Sequence, residues 1–351
     1  MASISGAQTS AALKIASTWG TAASVGAGNK LAAEITPNFN ADELSARMIG
    51  TGRHMTDFAT IGNFKPSISL AMDGGYRNQM DVLCAQFFGT SGAPSEQTVS
   101  QGDYKHTLTY NTTLNAKYLT LVHESSSATV YEYPTCAVQS LNFALDDAPG
   151  ILEFGAELIA NNVVLSSPTN NNAAVQAATF TETNVERTQY SFDDLFRINL
   201  NSGGALAGGD NFSITSYNLT LTRPQEIIGE IKGSTGNGSP ISSGLFEGEL
   251  TIGVKELADH TYLTYWSNQT ALKCSLNIQG TQIGSGVNKA VTLYIPKMQL
   301  VTEPQYALTS EGVNPLSMTF KILYASSNPT GMSSGYPYME IINTLSTSLL
   351  A

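Results

Sequence analysis

Charge is scarce in this chain. Only 13% of its 351 residues are Asp, Glu, Lys or Arg, and the 17 basic residues are outnumbered by 28 acidic ones, giving a formal net charge of -11. That balance repels a phosphate backbone, so nucleic-acid binding by charge is excluded. Cysteine is scarcer still. Cys84, Cys136 and Cys274 cannot all pair with one another, and none lies at a metal-ligand spacing, so reduced, buried thiols are expected. No apolar run approaches the roughly 18 residues of a membrane span. The opening MASISGAQTSAALKIASTWG lacks the basic segment and apolar core of a secretory signal. A cytoplasmic origin is therefore expected, where the sequons at Asn111, Asn218 and Asn268 carry no glycan.

The signatures of catalysis are also missing. His54, His106, His123 and His260 are the only histidines, and no HxxxH or HExxH pair occurs among them. Gly50-Thr51-Gly52 begins like a dinucleotide loop, but Met55 stands where the third glycine belongs. There is no P-loop. Asp146 and Asp147 precede Pro149 and Gly150, the setting of a turn. No enzyme, metal or cofactor is expected from this sequence. Tyr104, Tyr110, Tyr118, Tyr131 and Tyr133 could form a stacking platform, but tyrosine is also a favoured strand residue, and packing is the better account.

What the chain does have is a repeat. GNFKPSISL begins at Gly62 and GLFEGELTI begins 182 positions later, at Gly244. Upstream, LAAEITPNF from Leu31 falls on SITSYNLTL from Ser213 with no gap, both alternating as half-buried strands do. Between these strands, residues 40–61 and 222–243 each read as a long hairpin loop. Downstream, Tyr76, Met80, Leu83, Cys84, Phe87 and Phe88 follow the stripe of an amphipathic helix, and Met80, Leu83 and Cys84 fall on Tyr262, Tyr265 and Trp266. Pro134 and Pro296 then each lead into two long strands, at an offset reduced to 162–164 as shorter loops would give. Even ALKIASTWG and LFRINLNSG correspond loosely.

The expected fold is therefore mainly β. Two tandem antiparallel β-sandwich or partly open barrel domains, each with one α-helix and a long hairpin loop, span 10–165 and 192–325. Residues 1–30, rich in small and polar residues, read as a mobile N-terminal arm and leading strand. Residues 166–191 read as a linker and 326–351 as a C-terminal extension.

The order KIASTWGT, strand and long hairpin, GNFKPSISL, a helix ending in CAQFFG, HTLTY and a final pair of long strands resembles a major tail tube protein of long-tailed, siphovirus-type bacteriophages. It is similar to the duplicated kind, with two tube domains in one chain. The resemblance covers nearly the whole chain and is one of order and pattern. It implies a structural virion protein, made in the host cytoplasm, that polymerises into stacked rings around a conduit for genome ejection. With two domains per chain, it implies trimeric, pseudo-hexameric rings. Implied partners are further copies of the chain, a tape-measure protein in the lumen, and tail terminator and distal tail proteins. Viral DNA passes without specific binding, and no membrane is involved. Residues 1–165 hold 8 basic against 14 acidic residues and 166–351 hold 9 against 14, so neither half is a basic reader of nucleic acid.

The first hairpin, NADELSARMIGTGRHMTDFATIG, carries Arg47, Arg53, His54 and Asp57 beside Met48, Met55 and Phe58, a heavy apolar load for a solvent loop. By the resemblance, it reaches the neighbouring ring along the tail axis. Ile227, Ile228, Glu230, Ile231 and Lys232 of the second hairpin take the equivalent place. A loop folded back on its own domain is the simpler alternative. A tail terminator, a capsid protein or a β-sandwich adhesin shares the same general architecture. An adhesin would remain a discrete oligomer and retain a ligand, whereas a tube protein would grow into filaments.

Overall fold

The computed structural model describes residues 9–45, 59–73, 79–99, 101–113, 116–126, 129–148, 150–180, 195–229, 237–255, 257, 259–304 and 316–351, with backbone alone for 41–45 and 59–64. The chain begins with β1 (Ala11–Ala16), β2 (Lys30–Leu31), β3 (Glu34–Asn38), β4 (Ala41–Ser45), β5 (Ala59–Phe64), β6 (Ser67–Asp73) and the helix α1 (Gln79–Phe88). Next come β7 (Ser95–Glu96), β8 (Tyr104–Thr109), β9 (Tyr118–Ser126), β10 (Thr129–Leu145), β11 (Glu153–Ala160), β12 (Val164–Leu165) and α2 (Asn172–Gln176). The second half holds β13 (Leu195–Leu200), β14 (Ser216–Thr222), β15 (Gln225–Glu226), β16 (Ile241–Ser242), β17 (Glu247–Val254) and α3 (Thr261–Ser267). It ends with β18 (Leu272–Gly284), β19 (Val287–Leu300), β20 (Leu316–Ile322) and β21 (Tyr338–Asn343). The fold is mainly β, as the sequence predicts.

All pairings among these strands are antiparallel, and they branch without closing into a barrel. In the first half the order is β1–β9–β10–β11–β6–β3. In the second it is β13–β18–β19–β20–β17–β14. The registers recur as well. Ile35 lies opposite Leu70, and Tyr217 opposite Ile252, both displaced by the 182 positions seen in the sequence. Cys136 lies opposite Ala160, and Met298 opposite Ile322.

Both long strands bend at a proline. The β9–β10 register shifts between Tyr133 and Cys136, and the β18–β19 register shifts between Leu272 and Cys274, opposite Met298 and Ile295. Pro134 and Pro296 fall inside these irregularities, where a residue with no N–H breaks no ladder bond. Past the bend, β10 leaves β9 and pairs with β11, so one strand serves two sheets.

The halves differ after the helix. Residues 89–117 separate α1 from β9 and carry β7 and β8, whereas only 268–271 separate α3 from β18. This is where most of the offset shrinks. The extra strand β8 pairs with β21, and β21 pairs with β19, so the C-terminal extension joins both halves in one sheet. As a result α1 is enclosed: Met80, Leu83, Cys84, Ala85, Phe87 and Phe88 are fully buried. In α3 no residue is buried, and Tyr262, Tyr265 and Trp266 only lean on the core.

Two segments of small and polar composition carry defined structure. The leading strand expected within residues 1–30 is β1, which pairs with β9 from Ala11–His123 to Ala16–Tyr118 and buries Ala11, Ala12, Leu13 and Ala16. The following turn is tied down by Ala23 N–H to Thr120 Oγ1 (2.8 Å) and Val25 N–H to Asn170 Oδ1 (2.9 Å). Small side chains bury little apolar area, but they admit close strand pairing, and the ladder supplies what their area does not. The first part of the linker is similarly built in. Asn171 caps α2, and Val175 and Ala178 pack on Ala12, Val25, Val122 and Val130. The leading strands also match differently: the sequence sets Ala12 against Leu195, whereas their pairing to β9 and β18 sets it against Arg197. A slip of two residues keeps every side chain on its face, so alternation alone cannot detect it.

Ile341 in β21 is fully buried between the halves. Ile341→Ala is expected to cost about 2–5 kcal/mol through lost transfer energy and a residual cavity. The check is a lowered midpoint in urea unfolding, and an unchanged midpoint would mean that β21 is not part of the cooperative core.

Candidate assembly surfaces

The principal contact between the halves is a strand pair. Ser140–Leu145 of β10 run antiparallel to Thr222–Tyr217 of β14, joining β3–β6–β11–β10 to β14–β17–β20 in one sheet. Side chains reinforce the join. Asn142 Nδ2 donates to Asn218 Oδ1 (2.7 Å) and Thr220 Oγ1 (3.1 Å). Gln139 Nε2 donates to Gln225 O (2.6 Å), and Gln225 Nε2 donates back to Val138 O (2.8 Å).

Arg223, just past β14, closes the end of this seam. It is 3% exposed, and its backbone N–H donates to Gln139 O at 2.7 Å. Its guanidinium donates through Nη1 to Phe87 O (3.0 Å) and through Nη2 to Asn111 O (2.9 Å), and lies over the Tyr110 ring. Phe87 is in the last turn of α1, which has no basic residue of its own. Carbonyls at a helix C-terminus lack intrahelical partners and carry partial negative charge, so a cation from the other half satisfies both needs. Burial lowers the Arg223 pKa from its ordinary value, yet guanidinium remains charged at any physiological pH.

The second contact runs through β21. Tyr294 and Tyr338 stack with centroids 4.6 Å apart, and Lys105 meets Glu340 at 3.4 Å. His106 is fully buried, and its Nε2 lies 3.0 Å from both Asn343 Oδ1 and Leu345 O. Because a carbonyl only accepts, Nε2 carries the proton. Asn343 Nδ2 donates in turn to Asp81 Oδ2 (2.9 Å) at the start of α1, where a carboxylate suits the helix dipole.

The hairpin arms are the remaining surface. β4 and β5 pair from Ala41–Phe64 to Ser45–Ala59. Arg47, Met48, Arg53, His54, Met55, Asp57 and Phe58 lie outside the described residues. In the second arm β15 pairs with β16, and Gly229 bridges Asn237. Ile227 is buried and Ile228 is half exposed, while Glu230, Ile231 and Lys232 lie outside the described residues. The root of this arm is held by the first half, with Trp19 Nε1 donating to Asn237 O (2.9 Å) and Asn237 Nδ2 to Asn161 O (2.7 Å). Beside it Ile228, Ile241 and Leu245 leave apolar surface in solvent, Leu245 at 85% exposure.

Arg223, Gln225, Trp19 and Leu245 were not singled out by the sequence. Arg223 had a signal: a lone cation ending the run SYNLTLT, directly before Pro224. The tyrosines are dispersed rather than forming a platform. Tyr133 is fully buried, Tyr110 packs on Phe246, and Tyr118 meets the edge of Trp19. Burial pushes the thiols of Cys84, Cys136 and Cys274 up, away from reactive thiolate. Among the described residues no group of three His, Cys, Asp or Glu could hold a metal ion, and no helix is long and apolar enough to cross a membrane.

Among the described residues most strands form one open, all-antiparallel sheet fused across the two halves, with β4–β5 and β15–β16 as separate two-stranded hairpins. Residues 6–322 match the family model described as phage tail tube protein, and the chain belongs to that family. It is a structural protein of the phage tail. No curated protein matches it.

Arg223→Ala would leave Phe87 O and Asn111 O without their charged donor. The expected cost is about 3 kcal/mol, since hydrogen bonds to charged groups are each worth roughly 1.5–3 kcal/mol. Arg223→Lys should recover part of it, because an ammonium cannot present the planar fork. Thermal midpoints of the two variants provide the check; equal midpoints for parent and Arg223→Ala would contradict the role given to this residue.

Proposed function

We propose that this chain is a duplicated, siphovirus-type tail tube protein whose two tube domains, 10–165 and 192–325, each fill one sixth of a ring. Three chains then form a pseudo-hexameric ring, and rings stack into the conduit through which the genome leaves the virion. The observation that carries this reading is the recurrence of one six-strand order in the same register in both halves. The β10–β14 seam is heterologous, joining different strands of the two halves, and a heterologous contact repeated about an axis generates a ring. Formal charge of -11 keeps the wall from gripping DNA. A tape-measure protein in the lumen, and terminator and distal tail proteins at the ends, are the partners such a tube requires. The free chain waits in the host cytoplasm.

The arms carry stacking in this reading. Met48, Met55 and Phe58 at the first tip would each contribute about 1.5–3 kcal/mol if buried against the next ring. Arg47, Arg53, His54 and Asp57 would set register, since rim charges are screened. Ile227, Ile228, Glu230 and Lys232 serve the second arm, with the exposed Ile241 and Leu245 at its root.

Purified parent protein at high concentration should form hollow tubes in negative stain. Replacing residues 45–57 by a short Gly-Ser turn should leave circular dichroism and thermal midpoint unchanged, because closure entropy varies slowly with loop length, yet abolish tubes. Normal tubes from the deletion variant would transfer stacking to other surfaces. Discrete oligomers of the parent that retain a bound ligand would favour an adhesin.

A further inference from the structure

A lysine and an asparagine meet inside the core on two neighbouring strands. β19 pairs with β21 through Ala290–Ile342, and one residue further along this antiparallel register Lys289 stands opposite Asn343. Lys289, Val291 and Leu293 of β19 and Met339, Ile341 and Asn343 of β21 form the inward rows, and Lys289 and Asn343 are both 0% exposed. Directly opposed residues on one face have Cβ atoms about 4.5–5.5 Å apart, a gap that the four-carbon stem of lysine spans. We propose that Lys289 Nζ and Asn343 Cγ form an intramolecular isopeptide bond, with Asp81 carrying the protons and ammonium as the product released. This modification belongs to the folded chain alone and does not depend on assembly.

The Asn343 carboxamide is held as such a reaction needs. Its Oδ1 accepts from Leu345 N–H (2.9 Å) and from His106 Nε2 (3.0 Å), which shares its proton with Leu345 O. Two donors fixed at a carbonyl oxygen stabilise the negative charge that develops there when a nucleophile adds. On the other side, Asn343 Nδ2 donates to Asp81 Oδ2 at 2.9 Å, so a carboxylate sits at the leaving nitrogen. Asp81 is fully buried, and its Oδ1 has no hydrogen-bond partner among the described residues. An enclosed carboxylate oxygen in that state is rare and calls for a cause; a proton relay supplies one.

The step balances within the chain. Asp81 takes a proton from the Lys289 ammonium, and the lone pair of the resulting amine bonds to Asn343 Cγ. The C=O π pair moves onto Oδ1, between His106 and Leu345. Asp81 then returns its proton to Nδ2, the Cγ–Nδ2 bond breaks with its electron pair staying on nitrogen, and the carbonyl re-forms. The remaining extra proton on the lysine nitrogen passes through Asp81 to the departing ammonia. An ammonium and a primary amide have become a secondary amide and an ammonium ion, with no oxidant or reductant and with Asp81 a carboxylate again.

A second enclosed lysine is built differently. Lys273 is also 0% exposed, but its Nζ donates to Gly203 O and Thr330 O, each at 3.0 Å. Backbone carbonyls solvate that cation and offer no leaving group. At Lys289 the bond closes residues 289–343 into a covalent loop and locks β21, the strand that joins both halves. Like a disulfide, it restricts the unfolded chain.

Mass spectrometry of the unaltered, denatured protein tests this. The expected mass falls below that of the unlinked chain by one ammonia, about 17 Da. Trypsin does not cut after an acylated lysine, so digestion should give a branched peptide joining Lys289 to Asn343. Asp81→Asn keeps the side-chain size and should slow bond formation about a hundredfold or more, leaving freshly made variant with the parent's circular dichroism unlinked. Parent protein that trypsin cuts after Lys289, or folded Asp81→Asn protein linked as fully as the parent, would overturn the proposal and leave the self-assembly reading standing.

Discussion

The structure depends on one strand serving two sheets. β10 spends its first half on β9 and its second between β11 and β14, and the change of partner occurs at the bend around Pro134. Without it the first half would end at its own edge, and the second would have no sheet to continue. Arg223 then fixes the far end of the join to the C-terminus of α1. A charge at 3% exposure is tolerable because two carbonyls and an aromatic face receive it.

The same scheme written twice does not yield two equal halves. The segment carrying β7 and β8 exists only after α1, and β21 uses it to bind the second half back onto the first. The enclosed polar chain His106–Asn343–Asp81 belongs to this asymmetric part. An enclosed α1 and an open α3 are its visible result.

Much of this was legible in the sequence, and what was not has physical causes. The pairs β3–β6 and β14–β17 could be aligned to the residue because both strands are half-buried and connect across a hairpin. The leading strands could be aligned only to within two residues, since period-two alternation is blind to that slip. α1 was visible from Met80, Leu83, Cys84, Phe87 and Phe88. The β8–β21 pair was not, because Thr109 and Tyr338 lie far apart in sequence and have no counterpart in the other half. Residues 9–25 read as mobile because alanine, serine and glycine promise little burial, and their hydrogen-bond partners Thr120 and Asn170 cannot be read from composition. Of the assembly residues, the first-arm tip and much of the second lie outside the described residues, whereas Arg223 was available as a lone cation at a strand end.

The central claim is that the wall is built from six similar units supplied by three chains. A cryo-electron microscopy map of the tube, at a resolution that traces the backbone, tests it most directly. The account predicts threefold rings in which each chain supplies two adjacent units joined by its own β10–β14 strand pair. Rings with six identical chains would contradict it.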